Sequence, residues 1–142
     1  MAELRYLRAV NMALGDAMAD DPTVVLIGED VSEAGGAFGA SRGLRERFGA
    51  KRVLDTPISE AAIAGAAVGA ALSGLKPVLE IMFMDFTTLV MDAIVNQAAK
   101  ARFMFGGQTS VPLVLRTPHG AASAQAHSIR SVWKPGSLMC PG

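Results

Sequence analysis

Thr23-Val24-Val25-Leu26-Ile27-Gly28 is an unbroken β-branched and aliphatic run closed by a glycine, which is how a strand buried on both faces reads. Ahead of it, Leu7, Val10, Leu14 and Met18 recur at helical spacing through residues 4–20, and Pro22 stops the pattern after Asp20-Asp21. The spacing predicts an amphipathic helix that delivers the chain into a buried strand. The same alternation then repeats. Residues 29–41 read as a glycine-rich loop, 43–48 as a short helix, Arg52-Val53-Leu54-Asp55 as a strand and 59–73 as a helix of small residues. Pro77-Val78-Leu79-Glu80-Ile81-Met82-Phe83 reads as the third strand. Residues 85–103 read as the longest helix, with Phe86, Val90, Ile94 and Gln97 on one face, and Pro112-Leu113-Val114-Leu115-Arg116 as the fourth strand.

Buried strands alternating with helices over short connections predict an α/β fold, a doubly wound, mostly parallel sheet with helices on both faces. Ligands in that class bind at the carboxyl ends of the strands. Here those ends are Gly28-Glu29-Asp30, Asp55-Thr56-Pro57-Ile58-Ser59-Glu60, Met82-Phe83-Met84-Asp85-Phe86 and Arg116-Thr117-Pro118-His119-Gly120. Helix and strand signals fade after Gly120, so the domain core is expected over residues 1–120, with a divergent, shortened segment over 121–142.

Composition excludes several function classes. The 142 residues are 51% hydrophobic, which supports one sizeable core and rules out intrinsic disorder. Thirteen Lys+Arg balance 13 Asp+Glu without basic runs, which argues against a nucleic-acid partner. A single cysteine, Cys140, excludes an internal disulfide and a thiolate zinc site. The longest uncharged run, residues 61–75, is shorter than the roughly 20 residues needed to span a bilayer, and the mixed-charge start shows no secretory signal. A soluble, cytoplasmic protein is expected, with no membrane partner.

Gly35-Gly36-Ala37-Phe38-Gly39 matches neither the dinucleotide fingerprint nor the Walker pattern, and reads as turn chemistry. No Gly-Asp-Gly tract with a downstream Asn offers a magnesium diphosphate site, so no metal ligand is assigned to this chain. Glu60 has two readings. It opens a helix, where an acid complements the helix dipole. Alternatively it is a carboxyl in a cleft lined by Ile58, Met82 and Phe86, where desolvation would raise its pKa and let it share a proton with a ligand nitrogen. Gly65, Gly69 and Ser73, spaced by four, either let their helix lie close to its own sheet or receive a helix from another chain. His119 and His127 are the only histidines. His127, in a Ser/Ala-rich loop, reads as solvated or as a general acid or base. No Ser/His/Asp spacing argues for a hydrolase.

Four tracts together resemble one family. They are Gly28-Glu29-Asp30-Val31; Gly35-Gly36-Ala37-Phe38 with Gly43-Leu44, Phe48-Gly49 and Arg52-Val53-Leu54-Asp55-Thr56-Pro57-Ile58-Ser59-Glu60; Asp85-Phe86 with Asn96-Gln97-Ala98-Ala99-Lys100; and Gly106-Gly107-Gln108 with Val111-Pro112 and Arg116-Thr117-Pro118-His119-Gly120. The chain resembles the beta subunit of the thiamine-diphosphate-dependent 2-oxo acid dehydrogenases, the pyruvate, branched-chain and acetoin group, in its pyrimidine-binding domain. The resemblance implies the transketolase pyrimidine-domain fold, here C-terminally truncated. It also implies oxidative decarboxylation of a 2-oxo acid, with acyl transfer to a lipoyl group.

By this resemblance, Glu60 matches the glutamate that hydrogen-bonds the aminopyrimidine ring of thiamine diphosphate and exchanges a proton with it. Phe86 matches the aromatic that stacks on that ring, Ile58 and Met82 its apolar lining, and Glu29 an acidic residue behind the cofactor. The family's Gln-His-Ser-Gln loop has its nearest text in Gln125-Ala126-His127-Ser128, with an inserted Ala. The resemblance thereby implies His127 as the histidine facing substrate and lipoyl group. It implies an alpha subunit that supplies magnesium and the diphosphate grip, a lipoyl acyltransferase as acyl acceptor, and a homo- or hetero-oligomer. Two alternatives stand beside it: a noncatalytic truncated paralogue acting as scaffold or self-assembling remnant, and a relative of transketolase, which shares the pyrimidine-domain logic but lacks the quoted tracts.

Overall fold

The computed structural model describes residues 5–119. Helix α1 (Tyr6–Asp20) feeds strand β1 (Val24–Glu29), and α2 (Leu44–Phe48), β2 (Val53–Thr56), α3 (Glu60–Leu72) and β3 (Lys76–Glu80) follow in alternation. A compound helical segment and strand β4 (Val114–Arg116) come last among the described residues. The strands pair in the order β2-β1-β3-β4 and every pair is parallel. The chain therefore starts at an inner strand, moves out to β2, and crosses back over β1 to β3. This makes the gap between β1 and β3 the switch point at which α/β sheets present ligand crevices.

Side-chain alternation along the strands divides the core into two layers. On one face, Leu14 and Met18 of α1 and Leu44 of α2 pack on Val24, Leu26, Val53 and Val78. On the other, Ile63, Ala64, Ala67 and Val68 of α3 pack on Leu79 and Ile81, with Ile27, Leu113 and Leu115 alongside. Helices cover both faces, as the sequence pattern predicts. Between α1 and β1, Thr23 donates from its backbone N and its hydroxyl to the Asp21 carboxylate, and Lys76 Nζ reaches Asp21 Oδ2 at 2.7 Å. The Lys76 and Thr23 contacts hold the Asp21 carboxyl well below the usual carboxylate range.

Pro77 lies inside β3 without breaking it. Lys76 N donates to Thr23 O on the β1 side, so the position lacking an N–H faces β4, whose ladder begins only at Val78↔Val114.

One expectation is corrected and one open reading is decided. Residues 85–103 are not one α-helix but a 3₁₀ helix (Met84–Val90), a π-helical stretch (Asp92–Ala98) and helix α4 (Ala99–Met104). Thr87 Oγ1 donates to Met84 O at 2.6 Å and Thr88 Oγ1 to Asp85 O at 3.1 Å, and such hydroxyl bonds to the preceding turn compete with the α ladder. The wider π turns follow, and the segment still sets Val90, Ala93 and Ile94 on the α3 side of the sheet. Secondly, Gly65 and Gly69 do not bring α3 close to its own sheet. Both are exposed, with open space where a Cβ would stand, while Ile63, Ala64, Ala67, Val68 and Ala71 form the buried face.

At the carboxyl end of the sheet a buried ion pair joins β3 to β4. Arg116 Nη1 lies 2.5 Å from Glu80 Oε2, and the Glu80 side chain is only 3% exposed. Neither atom has an aligned hydrogen bond, so charge holds the pair. Two glycines make room for it. A Cβ on Gly28 would stand 2.7 Å from Glu80 O, and one on Gly36, whose φ is +75°, would stand 2.5 Å from Glu80 Oε1. Gly36→Ala is therefore expected to lower stability by about 1–3 kcal/mol, read as a fall in the urea midpoint. An unchanged midpoint would mean that the loop can lift away from the carboxylate.

Candidate functional site

Strand β1 ends in Glu29 and α3 begins with Glu60, and both carboxyl side chains are buried where the strands give out, at 6% and 7% exposure. Ser59 connects them. It precedes the first residue of α3, and its backbone N donates to Glu29 Oε1 at 3.3 Å. The Glu60 carboxylate has no hydrogen-bond partner among the described residues. Burial pushes the Glu29 carboxyl above the usual glutamate value of 4.5, the negative charge of Glu60 pushes it further, and the Ser59 N–H opposes both.

The sign of the resulting pH dependence follows from linkage. Above 4.5 the unfolded chain has released the Glu29 proton while the folded chain still holds it, so stability falls as pH rises from there through the raised folded value. Glu29→Gln removes that slope. Its urea midpoint is expected to match wild type near pH 4 and to exceed it at pH 7. A wild-type slope in the variant would assign the effect to another group.

Around the pair, Thr56 lies opposite Glu29 in the β1–β2 register, and its Oγ1 is buried without a hydrogen-bond partner, as is Oγ1 of Thr117 beyond β4. Asp55 is engaged by Ser32, whose hydroxyl lies 2.5 Å from Asp55 Oδ2. Asp30 is the only non-glycine residue with positive φ among the described residues, at 53°. An aspartate tolerates that conformation, and its carbonyl accepts Gly36 N at 2.7 Å as the chain turns off β1.

Of the residues singled out from the sequence, the structure brings Glu29 and Glu60 together. Phe86 is half-buried against the α3–β3 core layer, and Met82 is also half-buried. Ile58 stands apart at 82% exposure. His127 lies outside the described residues. Sequence reasoning missed the aromatic chain that reaches Phe86. Phe83 meets it edge-on at 5.9 Å between centroids, and Phe38 meets Phe83 edge-on at 6.3 Å. An aromatic set among glycines was the available signal. It also missed the Glu80–Arg116 pair, because residues 36 apart in sequence meet only through the β3–β4 register.

This donor set suits half of a cofactor. Two neighbouring buried carboxyls, one of them the uncommitted Glu60, suit the polar edge of an aminopyrimidine, and the orphaned Thr56 hydroxyl lies opposite Glu29 on β2. No Lys or Arg belongs to the set, so it does not suit a diphosphate. Among the described residues no three His, Cys, Asp or Glu side chains come together to hold a metal ion, and no helix is long and apolar enough to cross a membrane.

Over residues 2–134 the sequence matches the transketolase pyrimidine-binding domain, and the chain belongs to that family. Its curated relatives include beta subunits of pyruvate dehydrogenase and of 2-oxoisovalerate dehydrogenase. The chain is 47% identical over 134 residues to the mitochondrial pyruvate dehydrogenase E1 component subunit beta-2 of Oryza sativa subsp. japonica, which covers 92% of this chain and 36% of the relative. It is 50% identical over 124 residues to the pyruvate dehydrogenase E1 component subunit beta of Rickettsia bellii, covering 87% and 38%. It is 42% identical over 120 residues to the 2-oxoisovalerate dehydrogenase subunit beta of Bacillus subtilis, covering 84% and 37%. The chain thus spans a little over a third of the length of the curated relatives it matches.

Proposed function

We propose that this chain is the pyrimidine-binding half of a thiamine-diphosphate site in a 2-oxo acid dehydrogenase, completed by an alpha subunit that carries magnesium and grips the diphosphate. The buried Glu29–Ser59–Glu60 arrangement, in a chain of the pyrimidine-binding family, carries the reading. When bound, thiamine diphosphate supplies the carbon nucleophile and electron sink for decarboxylation.

The chain's own residues hold and tune the ring. Glu60, with its carboxylate uncommitted, takes a hydrogen bond to a ring nitrogen and exchanges a proton there. Glu29 fixes the Ser59 backbone from behind and so sets where α3 begins. The Phe86 ring stacks on the pyrimidine, and Ile58 and Met82 exclude water from its edge once a partner covers the exposed Ile58. By the family resemblance, His127 is assigned to act on substrate and on the lipoyl group of an acyltransferase, which receives the acyl fragment.

The assignment of the domain core to residues 1–120, with a divergent segment over 121–142, belongs to this proposal. So does assembly into a homo- or hetero-oligomer, for which the open Gly65/Gly69 face of α3 and the exposed Phe103 and Met104 of α4 offer surface. A cytoplasmic location is part of it too; the rice relative is named as mitochondrial and the Rickettsia one is not. The test is calorimetric titration of thiamine diphosphate with magnesium into the full chain mixed with a pyruvate dehydrogenase alpha subunit. The mixture is expected to bind one cofactor per alpha–beta pair, more tightly than either chain alone. Binding no tighter than that of the alpha subunit would overturn the reading.

A further inference from the structure

Phe38 is an aromatic side chain 53% exposed on a glycine-rich loop, and it belongs to neither of the two core layers. Its loop is nevertheless fixed. Gly36 N donates to Asp30 O at 2.7 Å, Ser41 N to Gly35 O at 2.9 Å and Gly39 N to Gly36 O at 3.2 Å. The buried Ser41 hydroxyl donates to Val31 O at 2.8 Å, and Asn11 Nδ2 to Ala40 O at 2.8 Å from α1. Glycines with φ of 75° and 79° stand at positions 36 and 39 of the same turn, a left-handed backbone that glycine adopts without steric cost. The ring does not float in solvent. It stands edge-on to Phe83 with an interplanar angle of 84°, and Phe83 stands edge-on to Phe86 at 87°. These are the favourable perpendicular geometries of aromatic pairs.

We infer that Phe38 is a positioning residue for the ring of Phe86, acting through Phe83, so that the glycine-rich loop and the end of β3 form one aromatic wall of the cofactor cleft. This rests on the functional reading above. A ring that stacks on a ligand binds best when its tilt is fixed beforehand, because rotation lost on binding weakens association. Phe83 limits the tilt of Phe86 from one edge, and Phe38 backs Phe83 from outside the core. The loop's hydrogen bonds then have a purpose beyond closing a turn: they hold Phe38 in place.

The test measures the thiamine diphosphate dissociation constant of the chain assembled with an alpha subunit, together with the thermal midpoint of the chain alone, for Phe38→Ala, Phe38→Tyr, Phe83→Ala, Phe86→Ala and the double variant Phe38→Ala/Phe83→Ala. Phe38→Ala is expected to weaken cofactor binding by about two- to twelvefold, the range of an aromatic pair, with an unchanged midpoint. Phe38→Tyr, which keeps the ring, restores wild-type affinity. The double variant binds no worse than Phe83→Ala, because the effect passes through Phe83. Wild-type affinity in Phe38→Ala, or an undiminished additional loss in the double variant, overturns the inference. If Phe38→Ala lowers the midpoint, Phe38→Leu, which keeps bulk without a ring, replaces it, and affinity loss must again appear for the inference to stand. Phe86→Ala separates the two levels. Weakened binding there with a silent Phe38→Ala refutes only the role of Phe38, whereas a silent Phe86→Ala refutes the stacking role of Phe86 and this inference with it.

Discussion

Glu60→Gln is expected, on the proposed function, to lower turnover of the chain assembled with an alpha subunit by about 10²- to 10⁴-fold, the range supplied by a positioned proton-transfer group. Glutamine keeps the volume and the place at the start of α3 but can neither carry the charge nor exchange the proton. The loss is expected without unfolding. Glu60 is buried beside Glu29, and its charge raises the Glu29 carboxyl, so neutralising it relieves like-charge repulsion. Glu29 is therefore raised less in Glu60→Gln than in wild type, and the fall of stability with rising pH, which starts from the same 4.5, is smaller and ends at lower pH. Steady-state assays of reconstituted enzyme check the first effect, and urea midpoints across pH check the second. Near wild-type turnover in the variant would leave Glu60 as a dipole-complementing acid and nothing more.

Arg116→Leu carries the largest expected effect on stability. Removing one partner of a buried ion pair leaves the other charge without compensation, at about 3–5 kcal/mol, against a total of roughly 5–15 kcal/mol for a typical domain. Here the stranded group is Glu80, held under Gly36 on one side and between β1 and β4 on the other. The double variant Glu80→Leu/Arg116→Leu is expected to recover most of the loss, since no buried charge remains. Urea midpoints of the two single variants and the double variant decide the matter. A Glu80→Leu/Arg116→Leu chain no more stable than Arg116→Leu would mean that lost packing, not the stranded carboxylate, sets the effect.

The fold was legible wherever burial on both faces leaves no polar residue in a strand, as in Val24-Val25-Leu26-Ile27, and wherever Pro or Gly ends an element, as at Pro22 and Gly28. Parallel pairing followed from alternation alone. The mixed 3₁₀ and π segment was not legible, because apolar periodicity over residues 85–103 fits a helix of any winding, and the hydroxyl bonds of Thr87 and Thr88 decide the winding locally. The small-residue stripe of α3 could be read toward either side until the buried set Ile63, Ala64, Ala67, Val68 and Ala71 fixed its orientation.

Within the candidate site, Glu29 and Glu60 were found because strand ends and helix starts are readable and because their tracts resemble a known family. Their link through the Ser59 N–H was not readable, since a backbone donor leaves no trace in side-chain identity. Phe38 and Phe83 are 45 positions apart and meet through a loop geometry set by glycine dihedrals. Ile58 remains open. Its apolar character suggested a lining residue, and in the isolated chain it faces solvent.

The central claim is that this chain provides the pyrimidine half of a thiamine-diphosphate site, and the most direct measurement is carbon dioxide release from a 2-oxo acid by the full chain mixed with an alpha subunit, magnesium and thiamine diphosphate. The account predicts release that needs the chain, the alpha subunit and the cofactor together, and that falls about 10²- to 10⁴-fold with Glu60→Gln. Release at the same rate when the chain is omitted, or none when all components are present and bound, would contradict it.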